Sequence, residues 1–381
     1  MVNNGGNIAK LADELSDERH AALITSDISR RYFCGFTSSA GIILVTKEAS
    51  YLLIDFRYFD KAKQRVSDCE VILLENAKTQ LMNLLIKHGI TTVSVESDAM
   101  TVTELEKYKA NYTFVTFDSS CGLSEMIGKM RIIKTPEEIE KIVKAQRIAE
   151  RAFSRLLRDI KPGQTEKHVA ALLEYYMAEY GSDGKSFDTI AASGVNSASP
   201  HAVPTDKKLE NGDFLTLDFG ASYDGYHSDM TRTIAIGKVT DDMKKMYDAV
   251  LFANLDAMKA IRADISGKVA DSVARSTLDA WGFGKYFGHG LGHGVGLEIH
   301  EAPSACSPRR PTRPSCLSRS RCRASASPSS QHTLKEGMIL TVEPGAYISG
   351  KYGVRTEDMV VVTNDGCRNL TNTTKDLIII D

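Results

Sequence analysis

The stretch from Thr216 to Thr233, TLDFGASYDGYHSDMTRT, constrains the chain more than any other. Two arms of alternating apolar and polar residues flank Asp224-Gly225, a strong short-range signal for a two-residue hairpin turn. With the turn there, Asp218 lies opposite Thr231, and Asp229 is diagonal to Asp218. Strand side chains alternate between faces, so Asp218, Asp229 and Thr231 share one face. Diagonal neighbours have Cα atoms roughly 7–8 Å apart. From that spacing two carboxylates can hold a pair of divalent cations roughly 3.5–4 Å apart. Two bare carboxylates on one sheet face repel, so the arrangement asks for a positive partner. Two solvent-facing aspartates on an edge hairpin are the alternative.

At 381 residues the chain can bury more than one core, and two domains are expected. A charged fraction of 25% and a net charge of −2 give no global field toward nucleic acid or an anionic membrane. The opening MVNNGGNIAKLADEL carries no basic stretch followed by an apolar core, and no apolar run reaches membrane-span length. Seven scattered cysteines without CxxC spacing read as reduced thiols, so the expectation is a cytoplasmic protein.

Short apolar runs at 21–25, 41–46, 51–55, 71–74, 92–96 and 113–116 read as strands, and 58–66, 78–88 and 101–110 as helices. That alternation predicts an α/β domain with a mixed sheet over residues 1–127, suited to gating or oligomerisation. Thr135-Pro136-Glu137-Glu138 then opens a helix, with Thr135 as N-cap, Pro136 first and Glu138 three residues beyond the cap. Thr165 caps another, ending near Gly181, and 241–263 and 268–280 return to helical periodicity. Strands are expected at 187–193 and in the hairpin. Residues 128–381 are thus a second α/β (α+β) domain of long helices on antiparallel strands.

Three histidines fall close together in FGHGLGHGVGLEIHE: His289, His293 and His300. The intervening glycines let backbone and substrate approach. An imidazole added to carboxylates makes a mixed N/O site suited to Mn, Co, Fe or Zn. ILTVEPGAYI, residues 339–348, reads as a strand ending at Glu343-Pro344-Gly345, and a second strand around RTEDMVVVT presents Glu357. The two glutamates are symmetric about Gly350, as a second hairpin requires. Each alone is more often a surface residue than a ligand. Together Asp218, Asp229, Glu343 and Glu357 supply four negative charges, which two divalent cations neutralise.

Five ordered segments, PHAVPT (200–205), LDFGASYDGYHSDMTRT (217–233), HGLGHGVGLEIHE (289–301), TVEPG (341–345) and VRTED (354–358), closely resemble the proline-specific metallopeptidases of the pita-bread fold. These are the Xaa-Pro aminopeptidases and Xaa-Pro dipeptidases (prolidases). YFCGFTSSAGIILVTKEASYLLIDFRYFDKA (32–62) resembles their creatinase-type N-terminal domain. The resemblance implies that Asp218, Asp229, His293, Glu343 and Glu357 bind two divalent metals, Mn foremost, with Co or Zn as alternatives. It also implies that Glu343 handles the proton of the attacking water and that His201 and His300 contact substrate. His289 resembles an additional active-site histidine, and Arg355 the neighbour that organises the Glu357 end. The implied activity is cleavage between an N-terminal residue and proline, as an aminopeptidase by preference and a dipeptidase otherwise. The partners implied are a proline-containing peptide and further copies of the chain, with no nucleic acid and no membrane.

Rival readings are a methionine aminopeptidase, a creatinase and a binding module of the same fold that has lost its ligands. The N-terminal domain argues against the first and the full ligand set against the other two. The departure from the family is 303–331, with six Arg, no acid, three Cys and five of the ten Pro. Its composition matches a disordered loop. An insertion, a stretch read in a wrong frame or a basic patch for an acidic partner would each account for it, and the insertion could leave an impaired binding module.

Overall fold

The structure, a computed structural model, describes residues 6–306 and 333–381. It divides into two compact units, Met1–Arg131 and Ile132–Asp381.

The first unit is built on a six-stranded mixed sheet in the order Glu70–Leu73, Ser50–Ile54, Ile42–Thr46, His20–Ile24, Thr92–Val95, Thr116–Asp118. Both faces are covered. Ala22, Ile24, Ile43 and Val45 join one core, while Ala21, Leu23, Leu44 and Val93 join the other. That division follows from the two-residue period of the strands. One local expectation fails. The strand expected at 113–116 runs from Thr116 to Asp118, because residues 113–115 form a turn closed by Val115 N–H donating to Tyr112 O at 3.2 Å. Phe114, whose β-propensity suggested the strand, is exposed. A helix at Asp27–Cys34, capped by Ser26, was not foreseen.

In the second unit two sheets each carry a pair of helices. Ile379–Ile380, Met230–Ile236, Phe214–Phe219 and Ile190–Ser193 form the first sheet, on which Pro136–Asp159 and Glu166–Glu179 pack. The Thr135 capping box and Pro136 start the longer helix as its sequence requires. Its residues Ala145, Ala149, Ala152, Phe153 and Leu156 are buried at helical spacing. Leu215, Leu217 and Phe219 meet these helices, so Thr216 and Asp218 are left on the opposite face of the strand. Glu301–Ala305, Gly292–Gly294, Ile339–Val342, Asp358–Val362 and Cys367–Asn369 form the second sheet, packed with Asp241–Ala260 and Gly267–Ala280.

Both hairpins have the expected register. Thr231 pairs with Asp218 and Tyr223 with Tyr226 around Asp224 and Gly225, whose φ angles are +45° and +74°. Both positive φ values are what a type I′ turn demands. Ile348 pairs with Tyr352 and Val342 with Asp358, symmetric about Gly350. The strand within 339–348 ends before Glu343-Pro344, as expected, and a separate strand follows at Gly345–Ile348. The ladder is interrupted at Glu343-Pro344 on one arm and Thr356-Glu357 on the other, between Ile339–Val342 and Gly345–Ile348. Pro344 has no amide hydrogen to donate. The strand expected at 187–193 is confined to Ile190–Ser193. Residues 303–305, expected in an irregular stretch, belong to the strand Glu301–Ala305 paired with Gly292–His293, and 307–331 lie outside the described residues.

Candidate metal centre

The two ladder interruptions are where the glutamates sit. Glu343 N–H donates to Leu291 O at 2.8 Å, and Glu357 N–H to Thr231 O at 3.1 Å. The second hairpin is thereby tied to the His293 strand on one side and to the first hairpin on the other. His293 is carried by Gly292–Gly294, where backbones approach too closely for side chains. A Cβ at Gly292 would stand 2.0 Å from the Thr341 carbonyl oxygen, and one at Gly294 2.3 Å from that of Ala302.

The five residues come together here. His293 Nε2 is 3.6 Å from Asp229 Oδ2 and 3.5 Å from Glu343 Oε1. Donor atoms of Asp229, His293 and Glu357 all lie within 4.8 Å of one another. His293 Nδ1 is 3.1 Å from the Gly294 carbonyl oxygen, which can only accept, so the ring proton is on Nδ1. The Nε2 lone pair then faces the carboxylates, as a metal ligand needs. Thr341 Oγ1 accepts from His293 N at 3.1 Å and donates to Glu343 Oε1 at 3.3 Å, fixing the two against each other.

Asp218 reaches the cluster through Arg355. The guanidinium donates from Nη2 to Asp218 Oδ2 at 2.6 Å, from Nε to Thr231 Oγ1 at 3.0 Å, and from Nη1 to Tyr347 Oη at 2.8 Å and Pro200 O at 3.2 Å. Thr231 Oγ1 in turn donates to Glu357 Oε2 at 2.6 Å. Burial opposes the charge of Arg355, yet Tyr347, Asp218, Glu343 and Glu357 together hold its pKa well above the ordinary value. One guanidinium does not balance four carboxylates. Burial, then the charges of Glu357, Asp218 and Glu343, push Asp229 well up, and burial, then Glu343 and Asp218, do the same to Glu357. Glu343 is pushed up to about 8 by burial, with Arg355 opposing and Asp218 adding to the rise.

Asp218 Oδ1 and Asp229 Oδ1 are buried without a hydrogen-bond partner. Orphaned anionic oxygens in a dry pocket cost several kcal/mol unless a cation meets them. Four carboxylates and one neutral imidazole are a donor set for borderline divalent metals, and these residues fit a pair of them.

The other histidines surround the cluster. The His300 ring is 4.3 Å from that of His293, and burial lowers its pKa. His289 Nδ1 is 2.9 Å from Gly290 O, and Nε2 is 2.9 Å from Tyr347 Oη. Its proton is therefore on Nδ1, and Tyr347 donates to Nε2 while accepting from Arg355. Burial, then the charge of Arg355, bring His289 down to about 3, so it is neutral throughout the physiological range. His201 is exposed, next to the Pro200 carbonyl that Arg355 binds. Tyr347 was missed from the sequence, since a tyrosine in a short strand gives no local signal. So were Arg232, which donates to Glu357 O and pairs with Asp358 behind it, and Asn254, which donates to Val342 O at 2.8 Å behind Glu343.

Residues 140–364 match the model of metallopeptidase family M24, and residues 8–133 that of the creatinase/prolidase N-terminal domain. The chain is 36% identical to the Xaa-Pro dipeptidase of Pyrococcus horikoshii over 359 residues, covering 94% of each. Among solved structures it is similar to the Xaa-Pro dipeptidase from Bacillus anthracis, with 38% identity, a TM-score of 0.86 and 98% of both chains covered. It is equally similar to the X-Pro aminopeptidase from Thermotoga maritima, with 35% identity, a TM-score of 0.87 and coverage of 98% of this chain and all of the other.

Proposed function

The chain belongs to metallopeptidase family M24, as a metallo-exopeptidase of the Xaa-Pro dipeptidase and aminopeptidase group with a creatinase-type N-terminal domain and a pita-bread domain, and we propose that it hydrolyses Xaa-Pro dipeptides. The observation that carries the reading is the buried meeting of Asp218, Asp229, His293, Glu343 and Glu357, with two anionic oxygens left unpartnered. These five residues would hold two divalent cations, with Mn first and Co or Zn as alternatives. Such a pair supplies charge for a developing oxyanion and acidifies water near neutral pH.

The rest follows from the chain's own side chains. Glu343 is the buried carboxylate through which a proton passes from the attacking water to the departing proline nitrogen. That nitrogen carries no hydrogen in the substrate and needs one to leave. His300, beside His293 and neutral, donates toward the scissile carbonyl oxygen as charge develops there. His201 and His289 border the space the dipeptide occupies. Tyr347 keeps His289 in one tautomer, and Arg355 aims Asp218 into the cluster.

Dipeptide preference is supported by relatives named Xaa-Pro dipeptidase that match nearly the whole chain. The sequence alone favoured an aminopeptidase, and the Thermotoga maritima neighbour keeps that as the second reading. The two differ in whether a residue beyond proline is tolerated. Rates on Xaa-Pro and Xaa-Pro-Xaa peptides with Mn-loaded protein separate them: cleavage of the dipeptide alone supports the first, and faster cleavage of the tripeptide overturns it. Absence of cleavage in both, with the parent no better than Asp229→Asn, would make the chain a binding module. Homodimeric or higher assembly is proposed with it, and light scattering showing a single chain would remove that. Among the described residues no helix is long and apolar enough to cross a membrane. A cytoplasmic location and a domain boundary near residue 127 are likewise proposals, the latter open to a folding test of 128–381.

A further inference from the structure

Glu166, the first residue of the helix Glu166–Glu179, is fully buried, although the hydrogen-bond donors to its carboxylate are all neutral. Its carboxylate is saturated by neutral donors. Oε1 accepts from Ser193 N at 2.6 Å, Ser193 Oγ at 2.9 Å and Asn196 Nδ2 at 3.1 Å. Oε2 accepts from Thr205 N at 3.0 Å, Thr205 Oγ1 at 2.6 Å and Asn196 Nδ2 at 3.1 Å. Burial works against its charge, but these bonds outweigh it and leave the carboxyl below its ordinary pKa. The helix N-terminus adds favourable potential.

The donors are the two ends of one segment, 193–205, which carries His201. The middle is held elsewhere. Ser197 Oγ accepts from Gly353 N at 2.9 Å, and Pro200 O from Arg355 Nη1 at 3.2 Å. Between the tethers at Pro200 and Thr205 lie residues 201–204, where Ala202 N–H donates to Ser199 O at 3.3 Å and His201 and Val203 are exposed. Removing the Glu166 carboxylate takes two bonds from the Thr205 end and leaves the bond from Lys167 N to Thr205 O at 3.1 Å, which loosens the short span bearing His201 while the metal-ligand candidates keep every partner described for them.

We propose that Glu166 is a positioning residue for the peptidase reaction, bracing the 193–205 segment so that His201 meets the substrate. The inference rests on the placement of His201 at the substrate, made under the proposed function. A group displaced by about 1 Å costs up to about 100-fold in rate.

The test is a double-mutant cycle on the Mn-loaded full chain with an Xaa-Pro dipeptide, using the parent, Glu166→Gln, His201→Ala and the double variant. Metal content and thermal midpoint are read for each, and hydrogen exchange at the Ser193 and Thr205 amides for the Glu166 variants. Expected are a 10- to 100-fold loss of kcat/KM in each single variant, metal content equal to the parent, faster exchange at both amides, and a double variant no worse than His201→Ala. Because a buried glutamine turns a donor toward donors and can unfold the chain, Thr205→Val, which removes one tether, runs as the milder partner in the same cycle. Losses that multiply in the double variant overturn the brace while leaving the role of His201 standing. Parental rates for His201→Ala overturn that role and the brace with it, and leave dipeptide hydrolysis itself intact.

Discussion

Arg355 Nη2 stands 2.6 Å from Asp218 Oδ2 in a pocket where both side chains are almost entirely enclosed. The guanidinium is spent on Asp218, Thr231, Tyr347 and the Pro200 carbonyl, so its charge is fixed in place. Removing one partner of such a buried pair costs about 3–5 kcal/mol. Arg355→Ala is therefore expected to destabilise metal-free protein by that amount in urea titrations. In Mn-loaded protein the loss is expected to be smaller, because the cations take over neutralisation of Asp218. Equal losses in the two states would contradict this.

The carboxyl cluster gives metal-free protein an inverted pH response. Glu343 has an ordinary value of 4.5 and is raised to about 8 in the fold. The folded state thus binds more protons than the unfolded state throughout that window, and stability falls as pH rises through it. Asp229 and Glu357, also raised, act in the same direction. Thermal melts of metal-stripped protein are expected to show the midpoint dropping from pH 5 to pH 8. Mn loading is expected to remove the drop, since bound cations favour the ionised forms. A flat profile without metal would mean the four acids are not mutually close.

Asp229→Asn keeps size and shape but replaces an anionic oxygen with an amide. Losing a mere supporting partner of a ligand lowers affinity or activity by about 10- to 100-fold, so loss of a ligand itself is expected to exceed about 100-fold. The checks are kcat on an Xaa-Pro dipeptide and metal per chain by elemental analysis, with circular dichroism unchanged. Full metal content and activity would remove Asp229 from the site.

Gly292→Ala tests the frame beneath His293. The added methyl would fall 2.0 Å from Thr341 O, which belongs to a paired strand and cannot retreat alone. Overpacking of this kind costs roughly 1–3 kcal/mol, and the strand shift would also part His293 N from Thr341 Oγ1, which fixes His293 against Glu343. A lowered thermal midpoint with weakened Mn binding is expected, and parental Mn affinity would show that the strand relaxes freely.

The register of both hairpins was readable because a tight turn leaves no freedom. Once Asp224-Gly225 and Gly350 are taken as the turn centres, Asp218–Thr231 and Val342–Asp358 follow by counting. The glycines around His293 were legible as places of close approach for the same local reason. What lay between distant segments was not. Tyr347 and Glu166 draw their importance from partners far along the chain, and neither has a neighbour in sequence that marks it. The break at Glu343-Pro344 was legible from Pro344, whereas the matching one at Thr356-Glu357 was hidden. Propensity misled at Phe114, where aromatic and β-branched residues occupy an exposed turn.

The strand interruptions place each glutamate where its amide bonds outside its own hairpin, Glu343 to Leu291 and Glu357 to Thr231. Neither donor is therefore oriented until three separate stretches of backbone have closed on one another. An ion added to the unfolded chain finds no partial nest to nucleate, unlike one offered a contiguous binding loop. Uptake in a refolding experiment should then coincide with the last cooperative phase and serve as its clock.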